Sequence, residues 1–184
     1  MNLKISFCLL YITLCGLLAA QDSVVVSTTL RDSVYTFTIT NSIDSAKVDS
    51  FYKTKQIDVS LADNPQLYYE VFKWLGTKYC YAGTSSSGID CSGFVSKICK
   101  MVYGKELPHS SAGMFTVCQP LPQNDVLAEG DLVFFKIKKG RISHVGIYLQ
   151  HGKFAHASIY SGVTINDLSE TYYQRYFFRA GRLE

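Results

Sequence analysis

Three side chains in this sequence have the chemistry of a nucleophile and its base: Cys91, His144 and His156. Cys91 stands in Asp90-Cys91-Ser92-Gly93-Phe94, after Thr84, Ser85, Ser86, Ser87 and Gly88, a run of small polar residues that reads as a loop. From Phe94 onward, Val95, Ile98, Met101 and Val102 recur at helical spacing, which predicts an amphipathic helix beginning at or near Cys91. Unpaired N–H groups and the positive end of a helix dipole stabilise an anion. The spacing therefore predicts a thiol acidified below its free value of about 8.5, with thiolate present at neutral pH.

The histidines need elements that bring them to that helix. Ser143-His144-Val145-Gly146-Ile147-Tyr148-Leu149 reads as a strand with His144 at its start, and Lys153-Phe154-Ala155-His156-Ala157-Ser158 as a second strand after a turn at Gln150-His151-Gly152. Two adjacent strands would present two imidazoles to one helix start. His144 would take the thiol proton and His156 would fix its ring, the usual logic of an activated cysteine.

The length suits one main domain. Asn64-Pro65 opens a helix carrying Leu67, Val71, Trp74 and Leu75 on one face and ending at Gly76. From Leu132 the chain reads as strands over 132–137, 144–149, 154–157, 163–165 and 176–182. Helices first and strands after predict an α+β fold with an antiparallel sheet. Residues 21–63 form an N-terminal extension in which Val24-Val25-Val26 and the alternating stretch 34–40 predict a hairpin, leaving 64–184 as the main domain. With 47% apolar residues the chain is globular, and a formal charge of +3, scattered along it, argues against nucleic-acid binding.

Residues 1–20 carry Lys4, an apolar run over 5–18 and Leu18-Ala19-Ala20 before polar Gln21, a secretory signal pattern cleaved after Ala20. A rival reading makes Cys15 the lipidated first residue of a lipoprotein, which would attach the chain to a membrane, although Leu14 is bulky for that site. Either way the chain is exported. Four mature cysteines then remain, and two disulfides are the plain alternative for Cys91. Cys80, Cys99 and Cys118 read as small buried hydrophobes with at most one bridge among them.

Tyr79, Gly83, Gly88-Ile89-Asp90-Cys91-Ser92-Gly93-Phe94, Leu107-Pro108, Gly130-Asp131-Leu132-Val133-Phe134-Phe135, His144-Val145-Gly146-Ile147-Tyr148 and His156-Ala157-Ser158, in that order, resemble the NlpC-type cell-wall cysteine peptidases. The likeness runs from about Asn64 to the C-terminus and is nearest to the lipoprotein-related murein endopeptidase branch. It implies a papain-like fold in which the nucleophile starts a helix packed on an antiparallel sheet. It also implies hydrolysis of peptidoglycan stem peptides, at the D-γ-glutamyl–diamino acid bond or at the diaminopimelate–D-alanine cross-link, in the periplasm or cell envelope. By the same resemblance Cys91 is the nucleophile, His144 the base and acid, and His156 the orienting residue. Tyr79 helps hold the oxyanion, unless it is simply an aromatic covering the core, and Asp90, Ser92 and Ser110 meet the free amine of a stem peptide. Asp90 reads equally as a helix N-cap.

Two departures stand out. His109 follows Leu107-Pro108 where relatives often carry arginine, and no bacterial SH3-like module is read in the chain, which favours polymeric or cross-linked substrate. His109 and His151 read as solvated loop residues. Asp131, at a turn entering a buried strand, reads as structural. Zinc on Cys91, His144 and His156 would lack a fourth ligand and a closely spaced pair, so neither metal nor other cofactor is expected. A monomer is expected. The rival functions are a non-catalytic wall-binding protein of the same fold, or a Cys-His amidase or acyltransferase acting on another amide.

Overall fold

A computed structural model of the chain describes the backbone of residues 23–30 and 33–40, and residues 45–138 and 140–184 in full. The signal segment and Cys15 lie outside the described residues. The chain divides into two compact units, Met1–Ser42 and Ile43–Glu184. In the first, β1 (Ser23–Leu30) pairs antiparallel with β2 (Ser33–Thr40), with Leu30 opposite Ser33.

The second unit opens with α1 (Ser45–Thr54), a 3-10 turn (Val59–Leu61) and α2 (Pro65–Trp74). Proline at the first turn of α2 needs no hydrogen bond there, and Gly76, at φ +78°, lets the chain turn away after the helix. Helix α1 was not legible as an element. Its Val48 and Tyr52 are nonetheless fully buried, so residues read as part of the extension ahead of Asn64 contribute to the main core.

Next come the two-residue strands β3 (Thr84–Ser85) and β4 (Gly88–Ile89), the central helix α3 (Cys91–Tyr103), a short α4 (Ser111–Val117) and β5 (Gln119–Pro120). On α3 the buried row is Phe94, Val95, Ile98 and Cys99, whereas Met101, expected on that face, is 60% exposed. The remaining strands are β6 (Leu132–Phe135), β7 (His144–Tyr148), β8 (Lys153–Ser158) and β9 (Gly162–Asp167). A short helix α5 (Thr171–Tyr176) then precedes β10 (Phe177–Arg182), and it takes in Tyr176, read from sequence as strand. The six-stranded sheet runs β5-β10-β6-β7-β8-β9, antiparallel at every pairing.

Strand β6 explains the layering. All four of its residues are buried, and they alternate: Leu132 and Phe134 join the core beneath the helices with Val145, Ile147, Ala155 and Ala157. Val133 and Phe135 join a second, smaller cluster with Phe154, Tyr173 and Ala180, which α5 covers. A sheet covered on both faces shields what hangs from either. His144 and His156 belong to the second face, with Phe135, Phe154 and Tyr173 around them.

Gly146 in β7 sits where a Cβ would lie 2.6 Å from the Phe154 ring, 2.9 Å from the Ala155 carbonyl and 3.3 Å from His156 Cβ. Glycine here lets β7 and β8 close together with the two histidine rings alongside. Gly146→Ala should lower unfolding stability by about 1–3 kcal/mol through overpacking, measured by urea denaturation; a loss below about 0.5 kcal/mol would mean the strands have room to spare.

Candidate active site

Helix α3 starts at Cys91 because Asp90 caps it. Asp90 is extended (φ −95°, ψ 176°), and its Oδ1 accepts the Gly93 N–H at 2.7 Å, one of the donors a first helical turn cannot satisfy itself. The same oxygen accepts the Ser92 hydroxyl at 2.9 Å and lies 3.2 Å from His109 Nε2, while Oδ2 accepts the Ala82 N–H at 3.0 Å. One carboxylate thus ties together the loop before the helix, the helix start and the loop after it. Gly93 permits this, since a Cβ there would lie 2.4 Å from the Gly83 carbonyl and 3.0 Å from His109 Nε2. The approach to the helix is held by Cys80 N–H to Ile89 O (3.1 Å), Ile89 N–H to Lys78 O (3.0 Å) and Asp90 N–H to Gly83 O (3.1 Å).

Cys91 is 7% exposed. Backbone N–H groups of Val145, Ser92 and Cys91 itself reach it and favour its anion, as a helix start should, but burial first and the Asp90 charge second outweigh them. The thiol pKa is pushed up to about 11. The expectation of a thiolate at neutral pH is therefore overturned: the spacing reveals the dipole, but not the desolvation or the capping charge. At pH 7 the sulfur is therefore held as the neutral thiol. Any attack must take the proton off as it proceeds.

The group placed for this is His144. The Val145 N–H that reaches the sulfur belongs to the peptide unit leaving His144, so strand β7 brings the His144 backbone beside the helix start. His144 Nε2 is 2.9 Å from His156 Nδ1, with the two rings edge to face at 4.9 Å between centroids. That leaves Nδ1 of His144 for the thiol proton. His156 is 1% exposed, stacks on Phe154 at 4.9 Å, and has Asn166 Oδ1 at 2.9 Å and the Tyr173 hydroxyl at 3.1 Å from its Nε2. Burial depresses both rings: His144 falls well below 6.5, helped by the His156 charge, and His156 falls to about 4. Thiol and imidazoles are all neutral at rest.

Tyr79 bridges to Ile89 beside the helix start and is half-buried against the core. Burial first, then the charges of Cys91 and Asp90, push its hydroxyl up to about 12, so it stays a proton donor near the sulfur. Of the three residues expected at a substrate amine, Asp90 and Ser92 are 8% and 4% exposed and bonded to one another. Ser110 is exposed and caps α4 by accepting the Gly113 N–H at 3.1 Å. His109 is an exposed loop residue, as read, and its Nε2 also lies 3.2 Å from Asp90 Oδ1. His151 is exposed at a left-handed turn position.

Asp131 is structural, accepting the Ala128 N–H at 2.7 Å and two Arg182 donors at 2.8 Å. Cys91, Cys99 and Cys118 are buried free thiols; Cys80, also free, is exposed rather than buried as expected. Among the described residues no cluster of three or more His, Cys, Asp or Glu is arranged to hold a metal. Asn166 and Tyr173, which complete the surroundings of His156, carry no sequence signal. They meet the ring only because β9 pairs with β8 and α5 folds back over the sheet.

Comparison with known proteins agrees with this geometry. The family model for the NlpC/P60 family matches residues 76–182. The chain is 39% identical over 111 residues to a probable endopeptidase NlpC homologue of Haemophilus influenzae, covering 60% of this chain and 58% of the relative. It is 38% identical over 111 residues to the murein DD-endopeptidase MepS/murein LD-carboxypeptidase of Escherichia coli, covering 60% of this chain and 57% of the relative. The chain thus spans less than two thirds of either relative's length. A crystal structure of a NlpC/P60 family protein from Bacillus cereus superposes with a TM-score of 0.59 at 29% identity, covering 68% of this chain and 42% of that one. With its capped cysteine helix, its paired histidine strands and a family match across more than half its length, the chain belongs to the NlpC/P60 family.

Proposed function

We propose that this protein is an exported cysteine endopeptidase of peptidoglycan, hydrolysing stem peptides at the D-γ-glutamyl–diamino acid bond or at the diaminopimelate–D-alanine cross-link. The observation that carries this reading is the pair of imidazoles 2.9 Å apart, His156 buried and His144 half-buried, whose strand β7 also supplies the Val145 N–H that reaches the Cys91 sulfur. A wall-binding module would have no need to bury three titratable groups in neutral form beside one another. The name of the Escherichia coli relative supplies the substrate class.

In the proposed cycle a substrate amide carbonyl sits above the start of α3. His144 Nδ1 takes the Cys91 proton as Sγ attacks the carbonyl carbon, and negative charge passes to the carbonyl oxygen. The first-turn N–H groups of Cys91 and Ser92 have no helical acceptor, and with the Tyr79 hydroxyl they stabilise that oxyanion. His144 then returns its proton to the leaving amine, the C–N bond breaks, and a thioester remains on Cys91. Water, losing a proton to His144, attacks the thioester; its collapse frees the carboxylic acid and the thiol. His156 holds the His144 ring throughout. Asp90 and Ser92 build the helix start, and Ser110, on the exposed α4 cap, is the residue of that group open to a substrate amine.

The deciding experiment incubates cross-linked peptidoglycan dimers and free stem peptides with the protein and reads products by mass spectrometry. Products cut on the amino side of the diamino acid would show γ-glutamyl cleavage, and dimers converted to monomers would show cross-link cleavage. Unchanged substrates together with retained wall binding would replace the enzyme by a binding protein. Cys91→Ala should abolish hydrolysis with the fold intact by circular dichroism, and His144→Ala should fall nearly as far. His156→Gln should lose only about 10–100-fold, since an amide can still orient the ring.

Because burial raises the thiol and lowers His144, the pH dependence has a definite sign. Alkylation of Cys91 by iodoacetamide, followed by peptide mass spectrometry to separate it from exposed Cys80, should accelerate continuously from pH 6 toward about 11. A rate already level at pH 6–8 would reveal a preformed thiolate and remove the neutral resting state from the mechanism.

A further inference from the structure

The base nitrogen of His144 is bare only if its other nitrogen carries the proton, and the choice is made several residues away. Glu170 precedes α5. Its carboxylate accepts the Asp167 N–H at 2.9 Å, which fixes its position, and both its oxygens lie 3.0 Å from Asn166 Nδ2. Two carboxylate oxygens admit only the donating end of the amide. Asn166 must therefore present Oδ1 to His156 Nε2, at 2.9 Å. The Tyr173 hydroxyl, 3.1 Å from the same nitrogen, can donate or accept and so follows whichever tautomer the amide sets. A nitrogen facing the amide oxygen must carry a hydrogen, so neutral His156 is protonated at Nε2 and bare at Nδ1. Its bare Nδ1 must then accept, so His144 donates from Nε2 across the 2.9 Å contact and keeps Nδ1 unprotonated.

We propose that Glu170 and Asn166 are positioning residues that set the histidine tautomers, so that His144 is ready to take the Cys91 proton. The inference rests on the catalytic reading of Cys91 and His144, but the tautomers exist with or without substrate. Each link is a choice between two orientations of a planar group, and reversing one reverses all those that follow. Asn166 is half-buried at the end of β9 and Glu170 is exposed, so the sequence of choices starts at the surface and ends at the buried base. The Asn166 hydrogen bond and the Glu170 charge both favour a proton on His156, which agrees with this polarity; burial still keeps the ring neutral at pH 7.

The test uses the full chain with ¹⁵N-labelled histidine, comparing ring nitrogen shifts and steady-state hydrolysis in the wild type, Glu170→Gln, Glu170→Lys and Asn166→Leu. The wild type should show Nε2–H on both His144 and His156. Glu170→Gln, which can still accept from Asn166, should keep both tautomers and kcat within about twofold. Glu170→Lys offers only donors, turns the amide over and should move both protons to Nδ1; Asn166→Leu should give mixed tautomers. Both should lose roughly 10–100-fold in kcat with KM little changed. Wild-type rings protonated at Nδ1, or wild-type tautomers retained in Glu170→Lys, would overturn the proposal even if activity fell, because the residue would then act through the fold alone. Should Asn166→Leu fail to fold, the exposed Glu170→Lys decides the question. If no form of the protein cleaves peptidoglycan, the peptidase reading fails while the ring shifts still decide the tautomer assignment.

Discussion

The Asp90 carboxylate is the constraint on which the site depends. It takes four donors from three separate stretches of chain, Ala82, Ser92 with Gly93, and His109, and so fixes where α3 begins and what surrounds its first turn. An N-cap of this kind contributes about 1 kcal/mol to a helix. Its larger effect is geometric. Without it the first-turn N–H groups would have no defined direction, and the sulfur of the next residue would have no defined place.

The same carboxylate works against the thiolate. A negative charge one residue from Cys91, in a setting where that residue is 7% exposed, disfavours a second negative charge there, and the N–H groups around Sγ do not make up the difference. The resting site is consequently neutral throughout: thiol, imidazole, imidazole, amide. This arrangement keeps unpaired ions out of the interior, where they are costly. It also makes proton direction the central problem, because a neutral imidazole works as a base from one nitrogen only.

The two-sided sheet answers that problem. Residues facing the helices carry the apolar load beneath α1, α2 and α3, which leaves the other face free to hold His144 and His156 among Phe135, Phe154 and Tyr173. Close approach of β7 and β8 at Gly146 brings the rings into hydrogen-bond range, and Tyr173 of α5 covers the buried His156. Burial is what makes the hydrogen bonds decisive. In water either tautomer would find a partner, whereas against the Asn166 oxygen only one does.

Much of this was legible in the residues themselves. Local signals are short-range: the loop before Cys91 and the apolar row after it predict a helix there, Pro65 and Gly76 bracket α2, and alternation marks β7 and β8, so the α+β order and the candidate group of Cys91, His144 and His156 follow from neighbours in sequence. Helices α1, α4 and α5 were not legible, since α4 and α5 are only seven and six residues long and α1 declares itself only through the two residues it buries. The ionisation of Cys91 was misjudged for a related reason, because desolvation depends on what covers a group and not on what precedes it. His109, Asn166, Tyr173 and Glu170 meet the site across 19 residues to Asp90, 10 and 17 to His156, and 4 to Asn166. The sequence by itself determined which groups can react. Only the tertiary structure decided where their protons reside, because that depends on the burial and hydrogen-bond direction that strand pairing and helix packing create.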